Sequence, residues 1–227
     1  MSLNFKKVSL TRDGRQLISP FSLALDANKS YAILGANGAG KSLFLELAHG
    51  LIKPSKGAVT WNAKPARRTR KSRGYVFQQR IMMRRSVADN IRFSLQARGL
   101  ADEGKVEAIL KRAALSEISD QPAALLSGGE AQRLALARAV VSEPKMLLMD
   151  EPTASLDPQA TTAFEKILKD LKKTGTQLLW ITHDRRQAKE LADHIILLNQ
   201  GQICEVTAAA KFFKSPKSKE AKEFLSH

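Results

Sequence analysis

Eight consecutive residues, Gly35-Ala36-Asn37-Gly38-Ala39-Gly40-Lys41-Ser42, carry the chemistry of a phosphate grip. Glycines at 35, 38 and 40 allow positive φ and close backbone approach, so successive N–H groups can turn inward onto phosphate oxygens. Lys41 would reach the β- and γ-phosphates, and the Ser42 hydroxyl would sit on a Mg²⁺ ion bridging them. Farther along, Asp150-Glu151-Pro152 ends the apolar run Lys145–Met149. The first acid is placed to hold Mg²⁺ through its water shell, and the second to turn toward the γ-phosphate and polarise an attacking water. His183 follows a second apolar run, Gln177–Ile181, and is read as a γ-phosphate contact in the company of those acids. Leu126-Ser127-Gly128-Gly129-Glu130 opens a helix. Ser127 and Glu130 have capping-box spacing, and two glycines at a helix start leave bare N–H groups that can meet an anion.

These groups need elements to hold them. Ser30–Leu34 reads as a short strand and Leu43–Leu51 as a helix, the strand–loop–helix setting that a P-loop requires. Asn4–Leu10 and Gln16–Leu25 alternate around Asp13-Gly14 and predict an antiparallel hairpin; Asp26–Lys29 predicts a turn in which Asn28 could occupy a left-handed position. Ala58–Trp61 and Gly74–Phe77 read as strands. Val87–Ala97, Lys105–Ala113 and Gly128–Val141 show helical periodicity, as does the stretch from Pro158 to about Lys173. Runs ending in acids are the form of buried parallel strands whose carboxyl ends receive ligands. His194–Leu198 and Gln202–Val206 flank a Gln200-Gly201 turn, and a short polar helical tail closes the chain. His49, His194 and His227 have no such setting and read as structural or exposed.

At 227 residues the chain has room for one α/β domain, alone or carrying a smaller inserted lobe. The absence of a long apolar run or a hydrophobic leader predicts a soluble, cytoplasmic protein. Cys204 stands alone and reads as a small apolar strand residue. The formal charge of +15 asks for an anionic partner. It gathers in Lys64, Arg67, Arg68, Arg70, Lys71 and Arg73, and in tail lysines 211, 214, 217, 219 and 222. The first run reads as a solvated flexible loop, with a membrane surface or partner protein as the sharper reading. No stacking aromatics interleave it, which argues against nucleic acid.

Over nearly its whole length the chain resembles an ATP-binding cassette (ABC) transporter ATPase. Gly35–Ser42 resembles the Walker A loop, Gln78 the Q-loop glutamine, Leu126–Glu130 the signature, Leu147–Glu151 Walker B with its catalytic acid, Leu156-Asp157 the D-loop, and His183 the H-loop histidine. The resemblance implies an α/β P-loop NTPase with a RecA-like core and antiparallel edge sheet (residues 1–77 and 144–227) and an inserted helical subdomain (78–143). It implies ATP and Mg²⁺ as ligands, the metal being met by Ser42, Gln78 and Asp150. Nucleotide contacts would come from residues 35–42, from Leu43, and from Ser127, Gly128, Gly129 and Asp157. It also implies a homodimer, in which Ser127, Gly128 and Gly129 of one subunit cap the phosphate held by Lys41 of the other. Further partners follow: an integral-membrane permease and, through it, a periplasmic or lipoprotein solute-binding protein. The subunit would lie peripherally on the cytoplasmic face of the inner membrane.

Three positions depart from the family pattern. Arg12-Asp13 stand where an adenine-stacking aromatic is usual, Leu43 where threonine is common, and Glu130 where glutamine is common. The guanidinium of Arg12 could stack on the base instead. Gln78–Val87 and the tail from Phe212 to Leu225 resemble the ATPases of bacterial oxyanion importers, particularly the tungstate class. A nucleic-acid-associated ATPase of the same fold is the competing reading. The interval from Ser42 to Leu126 leaves no room for coiled-coil arms, and one cassette is present rather than two.

Overall fold

The computed structural model describes residues 2–226. The first two strands, β1 (Leu3–Arg12) and β2 (Arg15–Leu25), pair antiparallel across Asp13 (φ 50°) and Gly14 (φ 73°), the doubly left-handed turn that suits the twist of a two-residue hairpin. The next turn differs from expectation. Asn28 is not in a left-handed conformation; the turn is closed by Lys29 N–H on Asp26 O (3.2 Å), and Asn28 N–H donates to Asp26 Oδ1 (3.1 Å), without positive φ.

The P-loop strand β3 (Tyr31–Leu34) leads into α1 (Lys41–His49). Then come β4 (Lys56–Trp61), β5 (Lys64–Pro65), a 3₁₀ helix over Ala66–Ser72, and β6 (Arg73–Val76). The basic run is therefore ordered, which corrects the loop expectation. Arg73 is 0% exposed; its guanidinium donates to His49 O (2.8 Å), Ala66 O (2.6 Å) and Thr69 Oγ1 (3.2 Å) and lies over the Trp61 ring. The run folds because one of its own cations is buried beneath it and ties the 3₁₀ helix to the carbonyl end of α1.

Three helices follow, α2 (Val87–Gln96), α3 (Glu103–Arg112) and α4 (Gly128–Val140), with no strand between Val76 and Met146 among the described residues. The remaining elements are β7 (Met146–Asp150), α5 (Pro158–Lys173), β8 (Gln177–Ile181), α6 (Arg185–Leu191), β9 (His194–Asn199), β10 (Gln202–Ala208), α7 (Ala209–Lys214) and α8 (Lys219–Ser226). Helix α6 has no counterpart in the sequence reading. Nor is the tail simply polar, because Phe212 and Ala221 are fully buried.

Two sheets result. One has the order β2-β1-β4-β5; the other has the order β10-β9-β3-β8-β7-β6, parallel throughout except for β10. The parallel strands are apolar on both faces, and alternate residues feed two cores. Met146 and Leu148 pack with Phe44 and Leu45 of α1, while Leu147 and Met149 pack with residues of α2, α4 and α5. Phe5, Phe21 and Phe44 stack together, with centroids 4.9 to 5.6 Å apart, and hold α1 between the two sheets. Residues 34, 150 and 181 thereby end side by side at the carboxyl edge of the large sheet. His227 lies outside the described residues.

Candidate active site

The loop from Gly35 to Gly40 crosses the carboxyl end of β3, the place where ligands enter open α/β sheets. Gly35 has φ 148°, and a Cβ there would lie 2.1 Å from Leu198 O, so this glycine is demanded by contact with β9. Gly38 has φ 75° and open space around it, so backbone conformation alone demands it. Lys41 is 6% exposed, and its Nζ donates to Gly35 O (2.9 Å) and Ala36 O (3.0 Å). Burial holds its pKa below the ordinary lysine value, against the pull of Glu151 and Asp150. Leu43 packs its side chain on the core beneath α1. Arg12 is exposed at the end of β1, close enough to Glu46 for its charge to act on that carboxyl.

Asp150 is buried at the end of β7, and burial pushes its pKa up, opposed by the nearby Ser42 hydroxyl and the Lys41 cation. Glu151 then leaves the strand line at φ 44°, an uncommon conformation for this residue type, with its N–H on Ile181 O at 3.2 Å. That turn brings its carboxylate to two partners from other elements. Oε1 is 2.7 Å from His183 Nε2, and Oε2 accepts from Gln78 Nε2 at 3.4 Å. Gly35, Ala36, Asn37, Glu151 and His183 line one open cleft; Glu151 and His183 also line a second, with Ala154, Leu156 and Pro158. The two side chains form the shared wall.

Ser127, Gly128 and Gly129 do not line the cleft over the P-loop. Ser127 caps α4 in a full capping box: Glu130 N–H donates to Ser127 Oγ, and both Ser127 N–H (2.8 Å) and Oγ (2.7 Å) donate to Glu130 Oε2. Glu130 is held below the usual carboxylate range by these bonds. Arg80 donates to Gly128 O at 2.8 Å. Asp157 caps α5, accepting from Ala160 N–H at 2.8 Å. His49 is buried beneath the 3₁₀ helix, and His194 stacks on Tyr31, in keeping with the structural reading of both.

Two features at this site have no sequence signal. Gln187, 0% exposed, accepts from Trp180 Nε1 and donates to Thr153 Oγ1 and Glu165 Oε1, tying the turn after Glu151 to β8, α5 and α6. Arg185, two residues past His183, donates to Phe224 O and to Leu225 O (3.1 Å) and lies over the Phe224 ring, docking α8 beside the cleft. Neither residue sits in a spacing that marks it, because most of their partners are 22 or more residues away in the chain.

Comparison with known proteins bears on the family and the fold. A family model described as ABC transporter matches residues 18–154. The chain is 34% identical over 236 residues to the arginine transport ATP-binding protein ArtM of Bacillus subtilis, covering 98% of each. It is 33% identical over 210 residues to the tungstate uptake system ATP-binding protein TupC of Peptoclostridium acidaminophilum, covering 90% of this chain and 98% of that one. Among solved structures, a dimeric ATP-binding cassette in a post-hydrolysis state bound to ADP and Pi has a TM-score of 0.83 at 25% identity, over 91% of this chain and 98% of that one. With the P-loop NTPase fold, the two-sheet cassette architecture and these matches together, the chain belongs to the ABC transporter family and is an ABC-type ATPase.

Proposed function

We propose that the chain hydrolyses ATP at a site completed by a second copy of itself, and so drives solute import through a separate integral-membrane permease. The observation that carries the catalytic part is the Glu151 carboxylate, turned out of β7 between His183 and Gln78 at the wall of the P-loop cleft. Glu151 is the base that polarises water. His183 orients it and steadies the γ-phosphate, and Gln78 senses the same carboxylate from the edge of β6. Lys41 exchanges its two neutral carbonyl acceptors for charged phosphate oxygens when nucleotide enters. The backbone N–H groups of residues 35–43 line the phosphates, and Arg12 stacks on the base.

Ser42 and Asp150 are neighbours that offer hard oxygen donors, and burial makes the Asp150 carboxylate costly to hold charged without a cation beside it. Among the described residues no larger group of His, Cys, Asp and Glu could hold a metal. That donor set suits Mg²⁺, which keeps few protein ligands and completes its shell with water and phosphate. Ser42, Asp150 and Gln78 would hold it, and the ion would supply the positive charge that the triphosphate needs.

Ser127, Gly128 and Gly129 stand away from their own P-loop cleft, in keeping with a head-to-tail homodimer in which each caps the other's nucleotide, beside Asp157. Among the described residues no helix is long and apolar enough to cross a membrane, so the permease is another polypeptide and the cassette sits peripherally on its cytoplasmic side. The groove between β6, α2 and α4 suits a short permease helix: it carries the exposed apolar side chains Phe77 (49%), Ile81 (73%) and Phe93, with Arg98 and Arg138 alongside. A periplasmic or lipoprotein binding protein acts only through that permease.

The solute we favour is a tungstate- or molybdate-like oxyanion, supported by the likeness to TupC and by the segments at Gln78–Val87 and Phe212–Leu225. A second reading, import of an amino acid, is favoured by the arginine-transport relative that matches more of the chain. A Glu151→Gln chain tests the mechanism. It should bind ATP normally, lose turnover by about 10³-fold, and run as an ATP-dependent dimer on gel filtration. A monomer that still binds ATP would refute the shared site. ATPase stimulation of the reconstituted complex by tungstate, against arginine, decides the solute.

A further inference from the structure

Between Glu46 and Asp89 the chain has eleven lysines and arginines and no acid. The densest part is the 3₁₀ helix Ala66–Ser72, packed against the turn at Gly50, where Arg67 backbone atoms lie within 3 Å of the space a Cβ would need. Side chains three residues apart eclipse in a 3₁₀ helix, with about 6 Å of rise between them. Arg67 therefore stands over Arg70, and Arg68 over Lys71, as two rows of like charge. All four are exposed, and none makes an ion pair among the described residues. Stacked like charges oppose the helix. It is held nevertheless, by the buried Arg73 guanidinium and its three oxygen acceptors. A solvated run would have no use for such a fastening, whereas an anionic surface turns the repulsion into attraction.

We propose that this 3₁₀ helix binds the anionic phospholipid head groups of the bilayer beside the permease, an inference that rests on the groove next to it facing that permease. Arg70 and Lys71 are on the rim of the groove, so a membrane subunit seated there brings the rows toward the same membrane. Lipid fits better than a protein or a nucleic acid. The rows are convex and open, and a fluid layer supplies as many anions as they need without fixed register. The aromatic beneath them, Trp61, is buried and unavailable for base stacking.

The test uses the full chain and vesicles of phosphatidylcholine, alone or mixed with phosphatidylglycerol. Two variants lose the same charge: Arg67→Gln, Arg68→Gln, Arg70→Gln and Lys71→Gln together, or Lys211→Gln, Lys214→Gln, Lys217→Gln and Lys222→Gln together. Wild type should sediment with the mixed vesicles only, and less so as salt rises. At about 1 kcal/mol per cation the helix variant should bind up to about a thousandfold more weakly, and at least roughly tenfold more weakly than the tail variant. Soluble ATPase should be unchanged in both. Equal loss in the two variants, no binding by wild type, or vesicle binding abolished by stoichiometric duplex DNA that itself needs the helix cations would each overturn the proposal. Co-purification with the permease is read separately. Vesicle binding that persists when the permease fails to co-purify would count against the functional reading and leave the lipid surface standing.

Discussion

His49 closes α1 at 7% exposure, edge-on to Tyr75 with ring centroids 5.2 Å apart, and its Nδ1 has no partner among the described residues. Burial first, then the Arg73 cation, with smaller effects of Arg70 and Arg98, lower its pKa from the ordinary 6.5 to about 4, against the opposing pull of the Arg73 backbone. Between those two values the unfolded chain binds a proton that the folded chain refuses, so stability falls as pH falls. The contribution is complete above the unfolded pKa and lost on the way to the folded one. At about 1.4 kcal/mol per pKa unit the loss reaches roughly 3 kcal/mol near pH 4, or about 6–12 °C in Tm for a chain of this size. Urea unfolding of wild type and His49→Phe at a series of pH values measures it, since phenylalanine keeps the contact with Tyr75 and cannot titrate. The stability difference between the two should be flat above about pH 7 and should then grow in favour of the variant by roughly 3 kcal/mol on acidification. Parallel curves, or an NMR titration of the His49 ring with a midpoint at its ordinary value, would refute the reasoning.

Other outcomes follow from single contacts. Gly35→Ala should destabilise the chain well beyond the ~1–2 kcal/mol of left-handed backbone strain, because its Cβ meets Leu198 O at 2.1 Å, whereas Gly38→Ala should cost only that strain. Denaturant midpoints of the two variants compare them directly. Arg185→Ala removes two hydrogen bonds to the carbonyl end of α8 and a ring contact, about 2–3 kcal/mol locally, and should raise amide exchange over residues 219–226. Arg185→Lys should recover part of the protection; unchanged exchange in the alanine variant would mean that α8 is held instead by buried Ala221 and by Glu205, which accepts from the Lys217 and Ser218 N–H groups just before it.

How much was readable depended on how far apart the interacting residues lie. Lys41 and the glycines before it act within one loop, and Ser127 with Glu130 within one helix turn, so spacing sufficed. The same holds for the hairpin at Asp13-Gly14, whose turn chemistry is local. Arg73 was misread because composition registers a cation among cations, and only packing shows that this one lies beneath Thr69 and against the carbonyl of His49. Asn28 was misread for a related reason: the main-chain bond from Lys29 to Asp26 O, with the Asp26 side chain on Asn28 N–H, closes that turn without positive φ.

From the sequence alone came most of the order of elements, without α6 and the 3₁₀ helix, together with the phosphate loop, the acids at the end of β7 and the histidine at the end of β8, because each is written in contiguous residues obeying strand or helix periodicity. Tertiary structure decided which of them meet. Glu151 touches His183, 32 positions on, and Gln78, 73 positions back, and it does so through the parallel register of three strands and a left-handed turn at one residue. Register and burial are properties of neighbours across the sheet, and no local pattern encodes them.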